Sequence, residues 1–515
     1  MQIGSRVSTI VTDGAFDLPG LVVIRISKGK ISRISHVIEE DLLRIDLEAD
    51  DLYDARGLMV LPGLIDSHVH LIGSALYLLA VDLNRVSSLD EVVSRLRGAE
   101  RLRSGILLGG RLDVSLLPTA DRERLPRVLE EAFSYPVCIR SVEHHSAFLN
   151  QKAWELLEVT ELAKKLGLPK DAVADMKDEM RIKGKLYEAV AERLYDSFSE
   201  EERKKALWQF LDKLPQRGVT CLHCLEGYGS DPEADFRVIL DVSEARPDID
   251  LILYPRTSDV RVVKKYGLKR MGGCILIDGA VGARTAAFSL PYADKPDSSG
   301  TLYFSDDSLR ALLASALKEG IQLAVHAIGD SAIEQVLSIY EELARQYDVV
   351  EIRPRIEHFC AGTPGQFERA QRLGLASGIQ PAFDLLFGGS EGVYAQALGT
   401  ERALQMNPIK TALYSGMLIG GGSDSPITSL DPLLGIYSAC NHNNENERVS
   451  FPEAVELFTI NNARLAHEEA FRGKIKEGYL ADFVILPKET TAQNVKDIQP
   501  VAVMKNGVLT WILHQ

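Results

Sequence analysis

The feature that most constrains the fold is the alternation of short apolar runs with amphipathic segments through the middle of the chain. Apolar runs such as 219–225 and 321–327 have the length and composition of buried strands. The segment after the second run carries Ile333, Val336 and Leu337, spaced along one face of a helix. Strands that alternate with helices are typical of βα units and a parallel sheet. Because no G-x-G-x-x-G motif follows an early strand, a closed barrel is favoured over an open dinucleotide-binding sheet.

Both ends of the chain differ from this middle, since they consist of short strand-like runs separated by turns. Near the N-terminus, strands are expected over 6–11, 21–26 and 31–34. From Gly473 onward, GYLADFVILP and VAVMKNGVLTWI have the same character. We therefore expect one small β module built from both termini.

Composition excludes several classes of protein. The chain is 45% hydrophobic and 25% charged, as in ordinary globular proteins, which excludes a disordered or coiled-coil chain. Its net charge of −15 gives no electrostatic basis for binding nucleic acid. No apolar run approaches the roughly 18 residues of a membrane helix, and the N-terminus lacks a signal-peptide pattern. We expect a soluble, cytoplasmic protein without nucleic-acid or membrane partners, whose six sparse cysteines are thiols.

The sharpest local motif is LPGLIDSHVH, a buried run that ends with His68 and His70. Side chains two residues apart on a strand point to the same face, so both imidazoles would project together from the end of the strand. Such a pair is typical of a metal site, because neutral imidazole is a common zinc ligand. Taken alone, the pair could also be two polar residues at a strand end.

Three later residues follow apolar runs in the same way. His326 ends one such run, His358 ends another, and Asp424 follows a short apolar run and three glycines. In a barrel of parallel strands, functional groups lie at the C-terminal ends of the strands. Each residue has an ordinary alternative, as a structural histidine or a turn carboxylate. Their order along the chain, after the His-x-His pair, nevertheless indicates a shared site.

These motifs together resemble the amidohydrolase superfamily, in the branch that includes N-substituted formamide deformylase and many uncharacterised metal-dependent hydrolases. The likeness covers nearly the whole chain. It is carried by LPGLIDSHVHL, HSAFLN, GKLYEA, DGAVGARTAAFSLPY, VHAIGD, RIEH, GGSDSP and GYLADFVIL. The resemblance implies an α/β fold, with a (β/α)₈ barrel over 61–470 and a small β-sandwich formed from 1–60 and 471–515. A charged, helix-forming stretch near 160–183 is expected to be an insertion over the barrel mouth.

The resemblance also implies a set of metal ligands. His68, His70 and Asp424 match the ligands of the more buried metal, and His326 and His358 match those of the outer one. A cluster of imidazoles with one carboxylate suits Zn²⁺ or a similar divalent ion and leaves an open position for water.

One position departs from the pattern of the family. Where relatives often carry a carboxylated lysine that bridges two metals, this chain has Cys274. A thiolate there could bridge the ions, since sulfur suits zinc. Alternatively, Cys274 is a small buried residue and Glu188 reaches the site instead. The expected number of ions is therefore one or two.

Such a site predicts hydrolysis. A divalent metal lowers the pKa of a bound water from about 15.7 toward about 7, which makes hydroxide available at neutral pH. We expect a metal-dependent hydrolase that cleaves a non-peptide carbon–nitrogen bond in a small amide or an N-acyl or N-formyl compound, with Asp424 as general acid and base. The partner is a small-molecule substrate, and a homo-oligomer is compatible with the sequence.

Two further residues are candidates for contact with the substrate. His145, in VEHHSAFLN, matches a histidine that this branch places over the substrate, and it could hydrogen-bond a carbonyl oxygen as charge develops there. Arg284 could anchor an anionic group through its planar guanidinium, with a surface salt bridge as the alternative.

Two other functions remain open at this point. The same site could deaminate an aminated ring, or the barrel could be an inactive scaffold. The complete ligand set argues against the scaffold.

Overall fold

The computed structural model describes residues 1–38, 40, 45, 49–141 and 146–513. Its strands, in chain order, are β1 Thr9–Thr12, β2 Val22–Ser27, β3 Lys30–His36, β4 Leu52–Asp54, β5 Leu58–Pro62, β6 Leu64–Val69, β7 Val81–Asp82, β8 Leu107–Leu112, β9 Val137–Ser141, β10 Ser146–Leu149, β11 Arg181–Lys183, β12 Val219–Glu226, β13 Asp250–Pro255, β14 Arg270–Leu276, β15 Gln322–Ala327, β16 Arg355–His358, β17 Ala376–Ile379, β18 Leu418–Gly421, β19 Phe483–Pro487, β20 Ala502–Lys505 and β21 Val508–Ile512.

Helices connect many of these strands. In chain order they are α1 Leu71–Leu76, α2 Leu89–Leu96, α3 Thr119–Ala132, α4 Gln151–Leu156, α5 Val159–Lys165, α6 Lys170–Asp178, α7 Gly184–Asp196, α8 Glu200–Leu211, α9 Pro232–Ala245, α10 Val260–Lys265, α11 Asp306–Lys318, α12 Asp330–Leu343, α13 Val349–Ile352, α14 Pro364–Arg372, α15 Pro381–Phe387, α16 Val393–Leu398, α17 Thr400–Ala403, α18 Ile409–Tyr414, α19 Pro432–Cys440, α20 Phe451–Leu457 and α21 Ile460–Leu465. Among the described residues, none of the helices is long and apolar enough to cross a membrane.

The chain divides into two compact units. The first comprises Met1–Leu71, Leu211–Glu226 and Ile239–Gln515. The second comprises Ile72–Phe210 and Gly227–Val238.

Parallel strands form the centre of the first unit. They lie in two sheets, with the orders β13-β12-β6 and β14-β15-β16-β17-β18. A parallel bridge between Val69 and Ser425 joins the end of β6 to the segment just after β18. The carboxyl ends of parallel neighbours meet at one edge of a sheet, so residues at the ends of these strands lie on a common side.

Strand β15 and helix α12 form a βα pair of the kind that the sequence predicts for the middle of the chain. All six residues of β15 are buried, as expected for a strand that is covered on both faces. The apolar face of α12 places Ile333, Val336 and Leu337 in the same core as Val325 of the strand. The helix therefore covers the sheet through the apolar stripe that its spacing predicts.

The two ends of the chain form two four-stranded sheets in the first unit, with the orders β3-β2-β1-β4 and β21-β20-β19-β5. Apolar residues of both sheets share one core, including Ile10, Ile24, Phe483, Ile485 and Met504. Strands from both termini therefore bury their apolar faces against one another.

The second unit has a five-stranded sheet with the order β11-β10-β9-β8-β7. In this sheet β7, β8 and β9 run parallel, and β10 is antiparallel to both β9 and β11. Its own core includes Leu83, Leu107, Phe133, Ile139 and Phe148. The stretch near 160–183, expected to be a helical insertion, contains α5, α6 and the edge strand β11.

Candidate metal centre

Six side chains singled out by the sequence lie at or just beyond the ends of parallel strands in the first unit. They are His68 near the end of β6, His70 just after it, Cys274 on β14, His326 on β15, His358 at the end of β16 and Asp424 just after β18. The carboxyl ends of these strands bring the six together because the strands are parallel.

The first group consists of His68, His70 and Asp424, whose ligand atoms all lie within 4.8 Å of one another. One carboxylate oxygen, Asp424 Oδ1, is 3.2 Å from His68 Nε2 and 3.1 Å from His70 Nε2. The side chain of His68 is fully buried, and that of Asp424 is nearly so.

The second group surrounds the thiol of Cys274. Its Sγ is 3.8 Å from His326 Nδ1 and 3.5 Å from His358 Nε2. His68 also belongs to a possible ligand set with Cys274 and His358, again within 4.8 Å. The two groups are therefore contiguous.

Hydrogen bonds at the far side of each ring assign the protons of the imidazoles. His68 Nδ1 faces a carboxylate oxygen of Glu357 at 2.6 Å, and His70 Nδ1 faces the carbonyl oxygen of Leu225 at 2.8 Å. Because these oxygens can only accept, each Nδ1 donates. In a neutral ring, Nε2 then has its lone pair turned toward Asp424.

The other two rings follow the same rule. His358 Nδ1 donates to the amide oxygen of Gln380 at 2.7 Å, which leaves Nε2 toward the thiol. His326 uses its nitrogens the other way round, since Nε2 donates to the carbonyl oxygen of Gly279 at 3.2 Å and Nδ1 faces Cys274. All four rings, when neutral, present a lone pair to the same small volume.

These separations suit a bound divalent cation. Nitrogen and oxygen ligands about 2.0–2.2 Å from a tetrahedral ion lie about 3.3 Å apart, and a sulfur ligand about 3.6 Å from a nitrogen. The observed distances of 3.1 to 3.8 Å fall around these values. Among the described residues, His68 Nε2 and Asp424 Oδ1 are buried without a hydrogen-bond partner. Buried polar atoms require partners, and a cation would supply one.

The backbone is strained at three of the six residues. Cys274, His358 and Asp424 have φ angles of 69°, 74° and 55°, in the left-handed region that side chains other than glycine rarely adopt. Each such conformation costs on the order of 1–3 kcal/mol and clusters at functional sites. The surrounding structure thus holds these side chains in place against a local cost.

The electrostatics of the pocket favour anionic Asp424 and Cys274. Burial opposes ionisation of Asp424, but the imidazoles of His68 and His70 lower its pKa well below the usual range. Burial also opposes ionisation of Cys274, yet His68 and His358 lower the pKa of its thiol well below the usual range. Burial would lower the pKa of His68, but Cys274 and Asp424 outweigh it and raise that pKa well above the usual range. Two buried anions call for positive charge between them.

Several supporting residues were missed by the sequence analysis. The carboxylate of Asp278 accepts hydrogen bonds from the backbone N–H groups of Ala287, Ile328 and Gly329, at 2.8, 3.0 and 2.8 Å. It also lies 3.4 Å from His326 Nε2. It thereby ties the segment after β14 to the end of β15. A carboxylate at the end of an apolar run was the available signal.

A second buried carboxylate supports the backbone of the first group. Asp66 accepts hydrogen bonds from the backbone N–H groups of His68 and Ser423, at 3.0 and 3.1 Å. Burial raises the pKa of Asp66 to about 6, although these hydrogen bonds oppose the shift. This carboxylate holds β6 against the segment that carries Asp424.

The other candidate residues are Arg284, Glu188 and His145. Arg284 lies after β14 with its guanidinium on Asp294, where Nε is 3.0 Å from Oδ2. Glu188 lies on α7 of the second unit and is exposed. His145 lies outside the described residues.

Comparisons with known proteins agree with this geometry. The sequence profile of the amidohydrolase family matches residues 51–511. Protein LONG AFTER FAR-RED 3 of Arabidopsis thaliana is 30% identical over 510 residues, covering 91% of this chain and 83% of that protein. N-substituted formamide deformylase of Arthrobacter pascens is 27% identical over 222 residues, covering 41% of this chain and 40% of that protein.

A solved structure is similar over nearly the whole chain. It is an uncharacterized metal-dependent hydrolase from Pyrococcus furiosus, with 26% identity and a TM-score of 0.75, covering 94% of this chain and 100% of that one. The similarity implies a TIM-barrel-like α/β fold and suggests a divalent metal at the site.

Proposed function

We propose, since the chain belongs to the amidohydrolase family and is a metal-dependent hydrolase of carbon–nitrogen bonds, that its substrate is a small amide or an N-acyl or N-formyl compound. The observation that carries this proposal is the arrangement of the metal centre. One ring nitrogen from each of four histidines faces either the carboxylate of Asp424 or the thiol of Cys274. A relative named for N-substituted formamides supports the class of substrate.

We propose zinc as the metal, and the chemistry of the donor set supports this choice. His68, His70 and Asp424 would hold one ion, and His326, His358 and Cys274 would hold a second. Imidazole and thiolate ligands suit Zn²⁺, whereas Mg²⁺ and Ca²⁺ prefer oxygen. When bound there, such an ion would lower the pKa of a water toward neutrality and would polarise the substrate carbonyl.

Asp424 is the general acid and base of the proposed reaction. Its Oδ1 faces both imidazoles of the first group, so we assign the proton of the attacking water to the other carboxylate oxygen. The same oxygen would then return that proton to the leaving nitrogen.

Two residues are proposed to contact the substrate. His145 would hydrogen-bond the carbonyl oxygen as negative charge develops there. Arg284 would accept an anionic group of the substrate by exchanging its contact with Asp294.

We also propose how the fold supports this site. The eight parallel strands β6 and β12–β18 would close into a (β/α)₈ barrel, with the Val69–Ser425 bridge on one side. The two four-stranded sheets from the chain ends would form a β-sandwich. The barrel would span 61–470, and 1–60 with 471–515 would form the sandwich.

Metal analysis combined with a substrate screen tests the function. Purified protein should contain zinc, and an amide library should give release of an amine that stops when a chelator is added and returns with Zn²⁺. Ammonia release from aminated heterocycles, with no amine from N-acyl or N-formyl compounds, would favour a deaminase instead. Negligible metal, with no activity restored by Zn²⁺ or Mn²⁺, would favour a scaffold.

A further inference from the structure

A buried ion pair lies directly against the metal-facing ring of His68. Glu357 and Arg355 are both fully buried, two residues apart on β16. Arg355 Nε donates to Glu357 Oε1 at 2.7 Å, and Nη2 donates to Oε2 at 2.9 Å. The same Oε2 accepts from His68 Nδ1 at 2.6 Å. Both oxygens of the carboxylate are therefore engaged.

Arg355 is itself held from neighbouring strands. Its Nη2 donates to the carbonyl oxygen of Ser67 at 2.8 Å, and its Nη1 lies 3.1 Å from His223 Nδ1. The guanidinium also lies over the ring of Tyr254, with its carbon 4.8 Å from the ring centre. These contacts, from β6, β12 and β13, prevent the arginine from turning away from Glu357.

The space around the pair is shaped to fit it. A Cβ placed at Gly378 of β17 would lie 2.4 Å from Glu357 Oε2 and 2.7 Å from Arg355 Nη2. Real Cβ atoms do not approach so closely, so a larger residue at this position would displace the side chains of the pair. The neighbouring strand β17 thus leaves room for these two charges.

A buried pair of this kind needs an explanation other than stability. Removing two ions from water carries a penalty that their attraction offsets only partly, and an apolar pair of similar volume is often as stable. When the far nitrogen of a ligating histidine donates a hydrogen bond to a carboxylate, this bond fixes the tautomer and orientation of the ring and raises its basicity. The charge of Glu357 is directed at such a nitrogen.

We propose that Glu357, held by Arg355, is a positioning residue that fixes the orientation and tautomer of His68, so that Nε2 of this ring binds the metal ion. The inference rests on the proposed function, because it takes the site to bind a divalent ion. Among the other rings, His70 and His358 are held by neutral oxygens, those of Leu225 and Gln380. His68 is therefore the ring with the closest charged support.

Zinc affinity, measured by competition with a chelator, tests this role. Glu357→Gln keeps an acceptor oxygen but removes the charge, and we expect it to weaken zinc binding about 10–100-fold. The control is Glu447→Gln, another buried carboxylate, which accepts hydrogen bonds from Thr411 N at 2.9 Å and Thr411 Oγ1 at 2.5 Å. A merely structural role would lower the unfolding midpoint of the metal-free protein in both variants and leave zinc affinity unchanged in both.

Glu357→Gln leaves Arg355 unpaired, which can impair folding, so a double variant and a measurement on the wild-type protein test the same role independently. Glu357→Gln with Arg355→Met removes both charges, so that no buried ion is left unpaired, and it should lose zinc affinity to the same extent. In ¹⁵N-labelled zinc-loaded wild type, NMR should show the His68 proton on Nδ1. Wild type that binds no zinc would overturn the proposed function. Wild type that binds zinc, with both variants within twofold of it or the proton on Nε2, would overturn this inference alone.

Discussion

Asp424 provides a sharp test at the scale of single residues, because asparagine keeps the shape of its side chain and removes its charge. We expect Asp424→Asn to lower kcat by about 10²–10⁴-fold, the usual contribution of a general acid or base. The loss should exceed what reduced metal content explains, so activity is expressed per bound ion. Asp307→Asn is the control, since that side chain is 97% exposed and pairs with Arg310. Near-normal turnover in Asp424→Asn would contradict the assignment.

Cys274 gives a second residue-scale prediction, which concerns the metal and not turnover. In protein loaded with Co²⁺, a thiolate ligand produces a sulfur-to-metal charge-transfer band, and we expect Cys274→Ser to abolish it. The same change should weaken metal binding, because a serine hydroxyl is a poorer ligand than a thiolate. Cys440→Ser is the matched control, as Cys440 is a buried free cysteine packed in the apolar core. A band that survives in Cys274→Ser would exclude the thiolate as a ligand.

The residues that sequence could identify differ physically from those it could not. His68 and His70 form a motif because a spacing of two residues at the end of one strand is enough to align them. Glu357 and Arg355 also stand two apart on a strand, and charge in a buried run is itself a signal. Their function, however, depends on which ring of a distant strand they meet, and spacing along one strand does not contain that information.

At the scale of the element, the segment between β14 and α11 depends on one carboxylate. Asp278→Ala would leave the buried backbone N–H groups of Ala287, Ile328 and Gly329 without this acceptor. Each unsatisfied buried donor costs about 1–3 kcal/mol, so we expect the free energy of unfolding to fall by several kcal/mol in urea titrations. Asp297→Asn, at an exposed position of the same segment, should be neutral. Equal stability of the two variants would show that water replaces the carboxylate.

Element prediction succeeded where strands and helices alternate regularly. The run GVTCLHCL, predicted as a strand, forms β12 Val219–Glu226. The amphipathic segment after IQLAVHA, predicted as a helix, forms α12 Asp330–Leu343. In the sheet of the second unit, only the apolar run PVCIRSV was predicted as a strand, and it forms β9 Val137–Ser141. Strands as short as β7 Val81–Asp82 show no alternation in sequence. Its parallel partner in β8 contains Gly109 and Gly110, which carry no side-chain pattern at all. Pairing with strands that are distant in sequence determines these strands, and a local alternation of apolar and polar residues does not predict such pairing.

On the scale of the whole molecule, a buried cluster of charges links the end of the chain to the parallel strands of the first unit. Lys505 of β20 is nearly fully buried, with Nζ 2.7 Å from Asp482 Oδ2 and 2.5 Å from Asp250 Oδ2. Arg472 Nη1 reaches the same oxygen of Asp250 at 2.6 Å. Asp250 begins β13, so these contacts join strands that are far apart in sequence.

Lys505→Met tests whether this cluster maintains the first unit. The change leaves Asp482 buried with its main partner gone, and breaking a buried pair in this way costs about 3–5 kcal/mol. We expect a loss near the lower end, because Arg472 Nη1 remains 3.8 Å from Asp482 Oδ2 and offsets part of its charge. Lys488→Met is the control, since Lys488 is exposed and lies 3.5 Å from Asp13, and exposed pairs contribute about 0–1 kcal/mol.

The double variant Lys505→Met with Asp482→Asn should recover part of the stability, because it no longer buries an unpaired charge. A double variant that is less stable than Lys505→Met in urea unfolding would show that an unpaired buried charge on Asp482 is not the cause of the loss.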